Sequence, residues 1–258
     1  MRVLCIGDVV SLKGCEFLRQ KLPLFKKENN IDVVIVNGEN SADGNGITPT
    51  SAKYLLDSGV DAVTTGNHVF KRPEFLDYLE QSKFVIRPAN YPNSAPGTGM
   101  CYIDLGYTRV AVINLLGTVG LEALDNPFYK VDLLIDRAKK DDIKIIIVDF
   151  HAEATAEKKA LGFYLDGKVS AVFGTHTHVQ TADAQILPNG TGYITDVGMT
   201  GPYLSVLGID PQNAIKKLRE HLPVRFSYAD SPCFMQGVLF DIDKGDGKCT
   251  QIKSINIL

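Results

Sequence analysis

The apolar residues of this chain fall in short, regularly spaced runs, many of them closed by a glycine, an asparagine or an acid. The runs at 3–6, 32–36, 60–64, 143–148 and 171–173 predict strands. Between and beyond them, mixed polar and apolar spacing predicts helices over 15–27, 50–58, 73–81, 130–140, 155–164 and 211–221. Pro23 marks a start, a kink or a break inside the first of these. Thr48, Pro49 and Thr50 offer capping and starting chemistry for the second. Pro73 falls in the first turn of the third.

The middle of the chain changes style. Val85-Ile86 is a short apolar pair, and 87–99 is rich in Pro, Asn and Gly, which predicts a long loop. Segments 101–105 and 109–115 flank Gly106-Tyr107-Thr108, a hairpin signal. Segments 184–187 and 192–195 flank Pro188-Asn189-Gly190-Thr191, a second one. Two further strands, 236–241 and 251–257, enclose Lys244-Gly245-Asp246-Gly247. No low-complexity linker and no repeat of fixed period interrupts the pattern. Alternating β and α followed by hairpins predicts one α/β domain over 1–258, with two mixed sheets packed face to face and helices outside.

Composition narrows the setting. With 258 residues, 45% of them hydrophobic, the chain can bury a sizeable core. No apolar stretch reaches the roughly 18 residues of a membrane span. The first apolar run is too short for a signal peptide, so the expectation is a cytoplasmic protein with no membrane partner. The net charge of −3 and the lack of a long basic run argue against an extended nucleic-acid surface. A small nucleotide stays compatible, because metals can carry the positive charge that meets a phosphate. The five cysteines include no CxxC pair and read as reduced thiols. Cys5, inside a predicted strand, reads as a small buried hydrophobe.

The chemistry gathers where the strands end. Asp8 follows the first run, and Glu39 and Asn40 follow the second. Asn67 and His68 follow the third, His151 the fourth, and His176 and His178 the fifth. In open α/β sheets the carboxyl ends of strands form the ligand crevice, so residues distant in sequence can converge there. Taken singly, each has an ordinary alternative: a helix cap for Asp8, a loop cap for Glu39 and Asn40, a left-handed turn for Asn67, a core histidine for His151. Jointly they are the ligand inventory of a two-metal centre that breaks phosphate esters. Such mixed nitrogen and oxygen sets favour manganese, iron or zinc over calcium or magnesium. Two cations about 3.5–4 Å apart can hold a phosphoryl group and a hydroxide together.

In order along the chain, Gly7-Asp8, Gly38-Glu39-Asn40, Gly66-Asn67-His68, the lone His151 and Gly174-Thr175-His176-Thr177-His178 resemble the motifs of the calcineurin-like metallophosphoesterases. More narrowly, the chain resembles the bacterial YmdB-like family over nearly its whole length. Strings such as Arg87-Pro88-Ala89-Asn90-Tyr91-Pro92 and Thr195-Asp196-Val197-Gly198-Met199-Thr200-Gly201 belong to that match. Two positions depart from the wider superfamily: Asp8-Val9-Val10 stands where Asp-x-His is usual, and Gly38-Glu39 where Gly-Asp is usual. Both departures are features of the narrower family.

The resemblance implies the αββα order of layers and a di-iron or dimanganese centre. It implies phosphodiesterase activity on cyclic nucleotides, notably 2′,3′-cyclic ones, and a homo-oligomer. It further implies Asp8, Glu39, Asn40 and His178 on one metal and Glu39, Asn67, His151 and His176 on the other, with Glu39 as bridge. His68 is the motif histidine left without a metal, and beside a cation pair its role would be general acid or a hydrogen bond to the phosphate. Arg87 and Asn90 are open between substrate contact and loop structure. Asp196 is open between orienting a ligand histidine and a plain turn acid. His221 is expected to end a surface helix. A phosphomonoesterase, a nuclease or a metal-retaining nucleotide sensor would use the same centre, since loops rather than metals choose the ester.

Overall fold

The computed structural model describes residues 1–258. In chain order the elements are β1 (Arg2–Ile6), β2 (Asp8–Val9), α1 (Ser11–Glu28), β3 (Val33–Asn37), α2 (Pro49–Asp57), β4 (Ala62–Thr64), α3 (Leu76–Gln81), β5 (Met100–Asp104), β6 (Arg109–Leu116) and α4 (Pro127–Lys140). There follow β7 (Ile145–His151), α5 (Thr155–Tyr164), β8 (Ala171–Thr175), β9 (Gln185–Ile186), β10 (Gly192–Ile194), β11 (Met199–Pro202), α6 (Pro211–Glu220), β12 (Cys233–Ile242) and β13 (Cys249–Ile257). One sheet has seven strands in the order β2-β11-β12-β1-β3-β4, with β13 also on β12. The other has six, in the order β5-β6-β7-β8-β10-β9. Strands β1, β3 and β4 run parallel, as do β6, β7, β8 and β10, while β12 and β5 run against their neighbours.

Side-chain parity builds the layers. On β1, Val3 and Cys5 point one way and Leu4 and Ile6 the other, as the two-residue period of a strand requires. Val3 and Cys5 join Val33 and Ile35 of the same sheet and Val110, Val112, Ile145, Ile147 and Phe173 of the other in one core between the sheets. Leu4 and Ile6, with Val34 and Val36, pack instead on Leu18 and Leu22 of α1 and Leu55 of α2. On the far side, Ala111, Ile113, Ile146 and Val148 pack on Val131 and Ile135 of α4 and Leu161 of α5. The result is helix, sheet, sheet, helix, the expected four-layer αββα arrangement. Strands covered on both faces explain why the sequence shows unbroken apolar runs rather than alternation.

The structure departs from the sequence expectations in several places. Helix α1 runs unbroken through Pro23, because Pro23 lies on its exposed face, where the carbonyl left without an N–H partner meets solvent. The short apolar pair Val85-Ile86 contributes a single bridge, from Val85 to Val63. Pro73–Phe75 is a turn of 3-10 helix ahead of α3. Strand β7 extends to His151, so this histidine ends a strand instead of following one. Strand β11 carries no sequence signal, since Met199-Thr200-Gly201-Pro202 contains two poor strand formers, and it forms by pairing with β2 and β12. The capping expectation at Thr48 holds: its hydroxyl accepts the Ser51 N–H, and Ser51 Oγ returns a bond to the Thr48 N–H.

Candidate metal centre

The carboxyl ends of β1, β3, β4, β7 and β8 meet at one edge of the sandwich, and every candidate ligand stands there. Asp8, Glu39, Asn40 and His151 are buried, and Gly66 lets them close up. A Cβ at Gly66 would collide with the His151 ring and with Glu39 Oε2.

Glu39 is the hub. Its Oε1 lies 3.2 Å from His151 Nε2 and 3.2 Å from His68 Nδ1, and its Oε2 accepts the His68 backbone N–H at 3.0 Å. His151 Nε2 also lies 3.1 Å from Asn67 Oδ1 and 3.0 Å from His176 Nδ1. On the other side of Glu39, His178 Nε2 lies 3.6 Å from Asp8 Oδ1 and 3.3 Å from Asn40 Nδ2. The structure thus groups Glu39, Asn67, His151 and His176, and separately Asp8, Asn40 and His178 with Glu39 between.

The outward nitrogen of each clustered histidine is tied down. His151 Nδ1 lies 2.8 Å from Thr175 Oγ1, which itself donates to Asp149 Oδ1 at 2.8 Å. The threonine's one proton is therefore spent on Asp149, and Nδ1 must donate. His176 Nε2 donates to Glu153 Oε2 at 3.0 Å, and His178 Nδ1 donates to the Leu207 carbonyl at 3.2 Å. Partners of this kind fix the tautomer of metal-binding histidines. The lone pairs left over, on His151 Nε2, His176 Nδ1 and His178 Nε2, all point inward.

This geometry is the test of fit for a metal pair. Around His151 Nε2 stand three more acceptor atoms, from Glu39, Asn67 and His176, and a single proton cannot serve them all. Asp8 Oδ1 is buried with no hydrogen-bond partner, facing the lone pair of His178. A buried unpaired carboxylate oxygen is costly unless a cation meets it. Burial opposes charge on His151, yet Glu39 and Asp8 outweigh it and push the imidazole up to about 9. His178 is likewise raised, because Asp8 overcomes its burial. Both shifts say that the cavity floor draws positive charge. The donor set fits two cations, with one adjustment. Asn40 turns its Oδ1 to His68 Nδ1, at 2.8 Å, and its Nδ2 to Glu39 and His178. A half-turn of this carboxamide brings the oxygen to the Asp8 side.

The loop carrying His176 and His178 is strained. Both residues have positive φ, 101° and 62°. Non-glycine residues held in sparsely populated backbone regions cost about 1–3 kcal/mol each and need surrounding structure to hold them. Asp196 and Lys158 do this. Asp196 Oδ2 accepts from the Thr177 N–H at 3.1 Å and the Thr177 hydroxyl at 2.8 Å. Lys158 Nζ donates to the Thr175 carbonyl and to Asp196 Oδ2, each at 2.7 Å. Asp196 therefore grips the loop backbone and makes no bond to a histidine ring.

Several contributors were not singled out in the sequence. Asp149 shares a face of β7 with His151, and the i, i+2 spacing on a strand was the available signal. Its carboxylate also accepts from Asn37 and Thr64. Lys158 gave no signal, because it looks like any lysine on a surface helix. Arg87 and Asn90 are loop structure. The Arg87 guanidinium donates to the carbonyls of Pro88, Pro92, Ala95 and Pro96, and Asn90 bonds the backbone of Leu116 and Asp125. His221 caps α6 in a left-handed conformation, as expected of a helix end.

Two mixed sheets between helices, with this ring of carboxylates, amides and imidazoles at the strand ends, define a metallophosphoesterase fold. The chain belongs to the YmdB-like protein family, which matches residues 4–255. The 2′,3′-cyclic-nucleotide 2′-phosphodiesterase of Bacillus subtilis is 48% identical over 257 residues, covering 100% of this chain and 97% of its own. A hypothetical protein from Thermus thermophilus has a crystal structure that superposes with a TM-score of 0.92 at 39% identity, over 99% of this chain and 98% of that one. A novel phosphatase from Mycoplasma pneumoniae gives 0.92 at 34% identity, over 100% of this chain and 93% of its own.

Proposed function

We propose that this protein is a two-metal phosphodiesterase that opens 2′,3′-cyclic nucleotides, the substrate class named for its Bacillus subtilis relative. The observation that carries the reading is the position of Glu39. Its carboxylate stands between two groups of inward-facing donors and touches His68, which lines the cavity above them. One metal site takes Asp8, Glu39, Asn40 and His178, and the other takes Glu39, Asn67, His151 and His176. Iron or manganese suits this set, and zinc fits it less distinctively. Bound there, the pair supplies Lewis-acid stabilisation of the phosphoryl oxygens and a water acidic enough to attack near neutral pH.

The chain's own residues do the rest. Glu39 Oε1, 3.2 Å from His68 Nδ1, accepts the proton on that nitrogen, and in the imidazolium form the ring carries a second proton on Nε2. From there His68 gives it to the ribose oxygen that leaves phosphorus, as general acid. Asp149 and Thr175 keep His151 in its ligating tautomer, and Lys158 with Asp196 holds the strained loop in register. In this reading 1–258 acts as one domain, in the cytoplasm and as a homo-oligomer. No helix is long and apolar enough to cross a membrane.

The test is turnover of 2′,3′-cAMP, bis-p-nitrophenyl phosphate and p-nitrophenyl phosphate, each with and without Mn²⁺. Metal-dependent turnover of the two diesters well above that of the monoester supports the reading. Preference for the monoester would replace it with a phosphomonoesterase.

A further inference from the structure

The cavity over the centre has two chemically different walls. One is the ligand group, with Glu39, Asn40, His68, His176 and His178. The other is apolar: Val10, Leu207, Ile209, Phe226 and Tyr228. Together they bound about 520 Å³, a volume within the ~300–1,000 Å³ range of small-ligand sites.

The apolar wall is built and anchored. Asp210 N–H donates to the Ser227 carbonyl at 2.9 Å and Ala229 N–H to the Gly208 carbonyl at 3.0 Å, which clamps the two segments together. The Leu207 carbonyl accepts from the His178 ring Nδ1–H, so the wall begins one hydrogen bond from a candidate ligand. Tyr228 spends its hydroxyl on the 42–45 turn, accepting from the Gly44 and Asn45 amides at 3.1 and 3.3 Å and donating to the Ala42 carbonyl at 3.3 Å. Its ring packs on Val10, Met199 and Phe234.

Phe226 differs from Val10 and Tyr228 on the same wall. It is 51% exposed, belongs to no core cluster and pairs with no other ring. Asn45, across the same cavity, has its backbone bonded to Tyr228 and Arg72 and its carboxamide free.

We propose that Phe226, backed by Leu207 and Ile209, is the stacking platform for the nucleobase of the substrate, with Asn45 at the base's polar edge. The proposal rests on the cyclic-nucleotide reading above. In such a substrate the phosphate is fused to the ribose, and the base hangs from the same ring. With the phosphate over Glu39 and beside His68, the base must lie within one ribose of it, and this wall is the apolar surface within that reach. Aromatic stacking tolerates any base, since every base has a π-face. The platform therefore selects nucleosides over base-free sugars without strongly choosing among bases.

The experiment compares wild type, Phe226→Ala and Phe226→Tyr, each loaded with Mn²⁺. The substrates are 2′,3′-cAMP and methyl ribofuranoside 2′,3′-cyclic phosphate, which lacks the base. Phe226→Ala should lower the ratio of kcat/KM for 2′,3′-cAMP over the base-free ester by about tenfold, mainly through KM, and Phe226→Tyr should restore it. An unchanged ratio overturns the platform. So does an unchanged ratio accompanied by a new molecular mass in light scattering, which would make the ring a subunit contact. Inhibition of bis-p-nitrophenyl phosphate hydrolysis by 3′-AMP and by inorganic phosphate separates this proposal from the reading beneath it. If wild type turns over no cyclic nucleotide, the functional reading fails. The platform still stands if Phe226→Ala weakens 3′-AMP about tenfold more than phosphate, and falls if both weaken equally.

Discussion

Lys158 Nζ and Asp196 Oδ2 lie 2.7 Å apart with both side chains sealed from solvent, and between them they hold the backbone on either side of His176. A buried ion pair is weak evidence for stability in general, because desolvation offsets the attraction. Here it has a definite mechanical task, since the loop it grips carries two residues at positive φ. Lys158→Met removes the lysine's half of the grip and leaves the buried Asp196 without its cation, held only by the Thr177 and Gly198 donors. The expected result is a loss of about 3–5 kcal/mol in stability together with a fall of about 10–100-fold in metal affinity. Calorimetric titration of chelator-stripped protein measures the second quantity. A folded, destabilised variant with undiminished affinity would leave the pair a structural feature only.

Glu39→Gln tests the hub. A carboxylate between two cations offsets their mutual repulsion, and a neutral amide cannot. Metal content and phosphodiesterase activity should fall together. Retention of both metals with normal turnover would remove Glu39 from the bridging position.

His68→Ala should keep its metals and lose about 10²–10⁴-fold in kcat on 2′,3′-cAMP. On bis-p-nitrophenyl phosphate the loss should shrink, because p-nitrophenolate needs little protonation to leave. Equal losses on the two esters, at unchanged metal content, would assign His68 to phosphate binding instead.

Away from the centre, Asp183 accepts from Thr181 Oγ1, from Thr195 N–H and Oγ1, and from Lys159. Burial works against its charge, but these donors win and hold the carboxyl down at about 2. A carboxyl lowered in the folded state stabilises above its unfolded pKa, roughly 4, and loses that contribution as pH falls through the folded value. Asp183→Asn should therefore be less stable than wild type at pH 6, with the gap in urea midpoint narrowing from about pH 4 downward. A gap independent of pH would show that the hydroxyls, not the charge, carry the contact.

Much of this was legible in the chain because the parallel strands are buried on both faces. Continuous runs such as Val33 to Val36 announce themselves, and the ligands sit where those runs stop. What stayed hidden depends on contacts far apart in sequence. Strand β11 exists because β2 and β12 flank it. Asp149 matters through Thr175, and Lys158 through Asp196, each more than twenty residues away. No local pattern encodes such pairings. The orientation of Asn40 is hidden for the same reason, since it is decided by what faces its two ends.

The central claim is that the ring of donors around Glu39 holds two metal ions. Elemental analysis of fully active protein, purified without added metal and compared with protein concentration from amino-acid analysis, addresses it directly. The expected result is about two transition-metal ions per chain, iron or manganese foremost. A fully active preparation with a single ion per chain would contradict it.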